Sequence, residues 1–233
     1  MKLICLPFAG GSAQSYMEWK RFFGKEIEII SVEYAGHGRR FCENLTDSVE
    51  ATLKDIYSRL IEHIDQEYAL LGHSMGAIYA YELVKLIERD KRRKPVKVIV
   101  SGTDAPYVQD RKILHNMPQR ELMQEIYALG CMPDEMIENS ELSDLFYPIL
   151  LNDIRNLELY RLEHNNREID RINIPLTVIC GTEDEEFGLQ SAAEWQKYST
   201  MPNTIREFEG GHFFIFERKE EVCSFLRKQL LFY

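Results

Sequence analysis

A chain of 233 residues, 45% of them hydrophobic, can bury a substantial core and is expected to fold as one domain, 1–233. Its formal net charge of −10 excludes a nucleic-acid binder, which needs a basic face, and leaves any contact with an anionic partner or membrane to a local patch. The five cysteines (Cys5, Cys42, Cys131, Cys180, Cys223) are odd in number, widely spaced and form no C-x-x-C pair, which fits reduced thiols in a cytoplasmic protein.

The first apolar run, 2–6 (KLICL), reads as a strand rather than as part of a signal peptide, and no stretch reaches the ~18 apolar residues of a membrane span. A glycine-rich loop, 7–12 (PFAGGS), ends it. Tyr16, Trp19, Phe22 and Phe23 then recur at helical spacing over 13–23. Residues 27–34 (IEIISVEY) return to strand and lead into the loop 35–40 (AGHGRR). Asp47 and Glu50 have the spacing of a capping box, opening a helix whose apolar face is Val49, Leu53, Ile56, Leu60, Ile61 and Ile64. The next strand, 68–71 (YALL), runs through Gly72-His73-Ser74-Met75-Gly76 into an amphipathic helix that ends in the charged run 88–94 before Pro95. Residues 96–101 (VKVIVS) form another buried-type strand.

The alternation then breaks. From about 105 to 172 there is no convincing strand, and helices are expected at 119–129, closed by Gly130, at 133–139, and at about 142–163 with Pro148 as a first-turn residue or a kink. The sheet pattern resumes with 175–180 (PLTVIC), a helix near 189–198, a strand at 204–208, the loop Glu209-Gly210-Gly211-His212 and a closing helix over about 219–231. Strands alternating with helices predict an α/β fold with a mostly parallel, doubly wound sheet, whose function gathers at the carboxyl ends of the strands. Loops 7–12, 35–40, 72–76, 102–106, 181–188 and 209–213 all follow strands and share that edge. The basic run 88–94 precedes a strand and falls on the opposite edge, as a helix C-terminus complemented by cations.

The turn at 72–76 matches G-x-S-x-G, the nucleophile elbow. Turning from strand to helix in so few residues brings the positions flanking the serine almost into contact, where only glycine fits, and leaves the Ser74 hydroxyl at a helix N-terminus. A serine needs a base, and the base needs a third group to hold its tautomer. Of six histidines, His212 follows the last strand on the functional edge; His63 and His164 belong to helices, His115 to the approach to the inserted region, and His73 reads as local packing. Asp184 is the preferred acid, with Glu183, Glu185 and Glu186 as rivals on the same turn and Asp104 as a second candidate after the preceding strand. The order serine, acid, histidine is that of hydrolases with a strand-to-helix elbow. The oxyanion-hole donors expected are the N–H of Met75 and one from the first loop, Ala9 before its neighbours Phe8 and Gly10.

Together these segments resemble the type II (stand-alone) thioesterases that accompany nonribosomal peptide and polyketide synthases. The resemblance rests on LPFAGGSA at 6–13 with Trp19, G-x-G-R at 36–39, GHSMGA at 72–77 with Tyr81-Glu82-Leu83, SGTDAP at 101–106, Met117-Pro118, Glu121-Leu122, Leu129-Gly130, Gly181, Asp184 and Gly210-Gly211-His212. Ala35, where the family commonly has proline, and Asp104, where it more often has basic or neutral residues, depart from the pattern. The resemblance implies an α/β-hydrolase fold with a helical lid inserted over about 105–172, a catalytic triad of Ser74, Asp184 and His212, and oxyanion donors Ala9 and Met75. It further implies hydrolysis of acyl groups from the phosphopantetheine arm of acyl- or peptidyl-carrier domains, whether for editing or for release.

Arg39 and Arg40 are candidate contacts to the pantetheine phosphate or an acidic carrier helix, and the lid methionines Met117, Met123, Met132 and Met136 could form an adaptable acyl pocket or simply the lid's own core. No H-E-x-x-H or phosphate loop is present, so no cofactor or metal is expected. A partner other than the carrier domain, whether nucleic acid or membrane, is not expected, and the chain is expected to act as a monomer. The rival readings are a small-molecule carboxylesterase or lipase of the same fold and a non-catalytic hydrolase-fold binding protein.

Overall fold

The apolar runs form six strands: β1 (Lys2–Leu6), β2 (Glu28–Ser31), β3 (Tyr68–His73), β4 (Val98–Ser101), β5 (Leu176–Gly181) and β6 (Thr204–Phe208). The computed structural model describes residues 1–108, 112–130, 132, 134–135, 139–165 and 167–232. All five strand pairings are parallel, in the order β2-β1-β3-β4-β5-β6. The chain steps outward from β1 to β2 and then crosses back to β3 on the other side of β1. That reversal opens a crevice above the carboxyl ends of β1 and β3, where the loop 7–12 and the turn 72–76 lie.

Eight α-helices are described: α1 (Lys20–Phe23), α2 (Val49–Leu60), α3 (Met75–Arg89), α4 (Gln119–Ala128), α5 (Ser140–His164), α6 (Leu189–Glu194), α7 (Phe214–Glu217) and α8 (Lys219–Leu231). They cover both faces of the sheet, which explains why β3, β4 and β5 are buried at every residue. Strand periodicity divides the core. Ile4, Leu6, Leu70 and Val98 pack with α2 and α3, whereas Leu3, Cys5, Leu71 and Ile99 pack with Trp19, Phe23 and α8. Cys5, Cys180 and Cys223 are free and buried and Cys42 is free and exposed; Cys131 lies outside the described residues.

The structure revises several expectations at element ends. The cap of α2 is Ser48, whose hydroxyl accepts from the Ala51 N–H at 3.2 Å, rather than Asp47. The α2 helix stops at Leu60, so Ile61 is exposed instead of continuing the apolar face. The aromatic stretch 13–23 is a 3-10 helix (Ala13–Trp19) followed by α1, and 189–198 is likewise α6 followed by a 3-10 turn (Trp195–Tyr198). The short helix α7 was signalled by no pattern in the sequence.

Between β4 and β5 no strand is described. Here α4 and α5 share a small apolar cluster of Leu122, Met123, Ile126, Met132, Leu150 and Ile154 above the carboxyl edge of the sheet. The Asn139 side chain caps α5 by accepting from the N–H groups of Glu141 and Leu142 at 3.0 and 3.3 Å. Pro148 therefore lies inside α5, not in its first turn. Met136 and most of the helix expected at 133–139 lie outside the described residues.

Candidate active site

The elbow owes its shape to two very close backbone approaches. A Cβ on Gly72 would lie 2.0 Å from the Gly76 carbonyl oxygen, and one on Gly76 would lie 2.2 Å from that of Leu6 on β1. Both positions are closed to any side chain. Ser74 between them has φ 53° and ψ −121°, a conformation costing about 1–3 kcal/mol for a residue with a side chain. Its N–H donates to Ser101 O at 2.7 Å, tying the strained residue to the end of β4. Ser74 is partly exposed and lines a cavity of about 160 Å³ together with Ala9, Met75, Asp104 and His212.

The structure separates the candidate acids. Asp184 Oδ2 lies 2.8 Å from His212 Nδ1, and both side chains are buried. Its other oxygen accepts from the N–H groups of Phe187 at 3.0 Å and Glu186 at 3.3 Å. Burial opposes ionisation of Asp184, yet the hydrogen bond and charge of His212 and these two N–H donors hold its carboxyl below the usual aspartate value. Glu183, Glu185 and Glu186 are exposed, and no hydrogen bond joins Asp104 to His212.

His73 forms the floor beneath His212, with ring centroids 5.0 Å apart. Its Nδ1 lies 3.0 Å from Ser101 Oγ, and it is wholly enclosed. Burial, reinforced by His212, pushes His73 well below the ordinary imidazole value. A neutral His73 places no opposing charge under an imidazolium at His212. Phe8, at the start of the first loop, packs edge-on to Phe213 at 4.9 Å and so joins that loop to the one carrying His212.

Among the described residues neither the Ala9 nor the Met75 N–H has a protein acceptor, and both residues line the cavity. The Gly10 N–H, by contrast, donates to Asp153 Oδ2 on α5 at 2.8 Å. This contact belongs to a network that no sequence pattern singled out. His37, in the loop after β2, has Nε2 2.9 Å from the same Asp153 oxygen and Nδ1 3.0 Å from Ala35 O. Both partners are pure acceptors, so the ring donates from both nitrogens and is held as an imidazolium. Burial disfavours that charge, but the Asp153 hydrogen bond and charge outweigh it and raise His37 above its usual value. The only sequence hint was a carboxylate at 153 on the apolar stripe of α5, one turn from Leu150 and Leu157.

Because the folded value of His37 is raised, the stability it contributes is complete below its unfolded value near ~6.5 and is lost as pH rises through the folded value. Urea unfolding of the wild type and of His37→Gln should therefore show a stability difference that shrinks as pH rises from about 6.5 to 9. A difference that stays constant or widens with pH would contradict the imidazolium assignment.

Further contacts fasten α5 to the body of the fold. Asn152 and Asn156 donate to Thr46 O at 3.0 and 2.9 Å, and Arg161 donates to Thr103 Oγ1 and Asp104 O at 2.9 and 3.3 Å. Within the inserted region itself, Glu158 accepts from the Leu114 and His115 N–H groups at 2.7 and 3.2 Å and from the His115 ring. The inserted region is thus anchored along the second half of α5, from Asn152 to Arg161.

None of the four residues expected to contact substrate lines the cavity. Arg40 donates to Glu43, Asp55 and the Glu33 carbonyl, a network that fixes the loop 35–40 and leaves its guanidinium unavailable to a phosphate. Met117 and Met132 pack in the cluster between α4 and α5 and do not line the cavity. Arg39 is exposed at the carboxyl edge and is also outside the cavity lining.

Residues 1–230 match the family model described as a thioesterase domain. The gramicidin S biosynthesis protein GrsT of Aneurinibacillus migulanus is 29% identical over 231 residues, covering 99% of this chain and 89% of that protein. Among solved structures, ClbQ from the colibactin NRPS/PKS pathway is 30% identical, with a TM-score of 0.89 over 97% of this chain and 95% of the other. The type II thioesterase BorB from the borrelidin biosynthetic cluster is 26% identical, with a TM-score of 0.86 over 98% and 92%. The parallel sheet with flanking helices is that of the α/β-hydrolase thioesterases.

Proposed function

The chain belongs to the thioesterase family, and from that premise we propose that it is a serine hydrolase removing acyl groups from the phosphopantetheine arm of acyl- or peptidyl-carrier domains. The observation that carries this reading is the buried His212–Asp184 pair, whose histidine lines the same cavity as the strained Ser74. Ser74 Oγ attacks the thioester carbonyl while His212 takes its proton, and Asp184 holds the imidazole with Nδ1–H toward itself. The Ala9 and Met75 N–H groups, free of protein acceptors, stabilise the oxyanion; each such donor contributes about 3 kcal/mol in the transition state. The thiol leaves with the proton held by His212, and a water deprotonated by the same ring clears the acyl-enzyme.

Residues 105–172 serve as the lid over this site, with the anchored α5 as its fixed wall. The cavity is about the size that holds a benzene-sized guest, which favours a short acyl group. Its lining draws on Leu114, Ile126, Leu129, Ile154 and Leu157, so the lid supplies an apolar wall without Met117, Met123 or Met132. With Arg40 held in its ion pairs, Arg39 is the arginine left exposed to meet the pantetheine phosphate.

The test is to offer a panel of acyl-loaded carrier domains and follow unloading by intact mass. Release of short acyl groups is expected. Turnover confined to oxygen esters would point to a carboxylesterase, and failure to label with a serine-reactive fluorophosphonate would point to a non-catalytic protein of this fold.

A further inference from the structure

Asp104 is a buried acid that the chemistry above does not use. It follows β4 on the functional edge, is only 5% exposed and lines the cavity that holds Ser74 and His212. Among the described residues no hydrogen bond or ion pair reaches its carboxylate; its one contact of this kind is through the backbone carbonyl, which accepts from Arg161. Nor is the carboxylate sealed in the packing, since its oxygens are not among the enclosed unpartnered atoms of the described residues. Asp104 thus keeps a small accessible surface and lines the cavity.

A carboxylate in such a place needs a partner, because leaving a charge both desolvated and unpaired is costly. Among the described residues the other charged groups around the cavity have partners. Lys112 is paired with Glu125 at 2.6 Å, Arg161 donates to Thr103 Oγ1 and Asp104 O, and Glu158 accepts from Leu114 and His115. Glu186 is exposed at the rim beside the N–H that supports Asp184. The described lining carries Asp104, Glu125, Glu158 and Glu186 against Lys112 and Arg161, a negative balance. The position of Asp104 suits the first atoms of the acyl group: a Cβ built on Gly102 would lie 3.3 Å from His212 Cε1, and Asp104 is two residues further, within about 7 Å of chain.

Resting on the thioesterase reading, we infer that Asp104 binds the α-ammonium of an aminoacyl thioester, so that this site selects aminoacyl groups over neutral acyl groups of the same size. The ammonium supplies three donors to an acceptor-only carboxylate, and the apolar wall from α4 and α5 receives the side chain. Asp104 is a specificity residue here, and the proton transfers remain with His212.

Alanyl and isobutyryl thioesters of N-acetylcysteamine differ by an ammonium in place of a methyl group, and they give the test. Each kcat/KM is divided by the spontaneous hydrolysis rate of the same thioester at pH 7, which removes the intrinsic activation by the ammonium. In the wild type the corrected alanyl value should exceed the isobutyryl value by about tenfold or more, the size of one charge-assisted hydrogen bond. In Asp104→Asn the uncorrected alanyl-to-isobutyryl ratio should fall by a similar factor. Equal corrected values in the wild type would overturn the inference without needing any variant, as would a ratio unchanged in Asp104→Asn. Ser74-independent hydrolysis of both thioesters, or none of either on carrier domains, would instead overturn the thioesterase reading.

Discussion

Ser74→Ala is expected to lower kcat for unloading an acyl-carrier domain by about 10⁴-fold or more while leaving the fold intact. The size follows from the proposed role of the hydroxyl as nucleophile: in that mechanism no acyl-enzyme forms without it, and only the oxyanion donors and substrate positioning remain. A loss of that order is about 5.5 kcal/mol of transition-state stabilisation. The substitution deletes one partly exposed oxygen, keeps the Cβ and leaves the Ser74 N–H bond to Ser101 O in place. The melting temperature should accordingly stay within about 2 °C of the wild type. Acyl-carrier hydrolysis by the variant at the wild-type rate, followed by intact mass, would remove Ser74 from the mechanism. A collapse in melting temperature would show that the hydroxyl supports the strained turn, a role the geometry does not assign to it.

Asp184→Asn is expected to reduce kcat by about 10⁴-fold with a much smaller change in KM. The aspartate accepts from His212 Nδ1–H with one oxygen and from two backbone N–H groups with the other. An asparagine that keeps its carbonyl toward Phe187 and Glu186 must turn its NH₂ toward His212. The ring then carries its proton on Nε2, the nitrogen that in the proposed mechanism accepts from Ser74, and the base is in the wrong tautomer. Steady-state kinetics on one carrier substrate decide the matter. A variant within tenfold of the wild type in kcat would return the search for the acid to the other carboxylates of this edge.

The alternation of apolar runs with amphipathic segments was enough to predict the parallel sheet, because a buried parallel strand must be apolar throughout and its crossover helix must be apolar on one side. Element ends were less legible. Asp47 and Ser48 are both good caps, and which hydroxyl or carboxylate meets the Ala51 N–H of the first turn depends on where the preceding loop enters. The aromatic stretch 13–23 keeps helical spacing, but its first half tightens to 3-10 geometry where Tyr16 and Trp19 turn inward against the sheet. Arg39 and Arg40 are adjacent and chemically alike, and nothing local said that Asp55, fifteen residues on, would hold only the second of them.

For the site, the sequence by itself determined the parts whose meaning is local. G-x-S-x-G fixes a turn so tight that a Cβ on Gly72 would meet backbone at 2.0 Å, and chain order along a doubly wound sheet places Ser74, Asp184 and His212 on one edge. Tertiary structure alone decided which acid faces His212, since Asp184 and Asp104 both follow strands and only the packing of the loops after β5 and β6 brings one of them to 2.8 Å. It alone joined His37, Gly10 and Asp153, which lie 27 and 116 residues apart along the chain (37 − 10 and 153 − 37). The physical reason is the same in each case. A backbone constraint is written in the few residues that obey it, whereas the pairing of buried charges depends on which distant elements the core brings together.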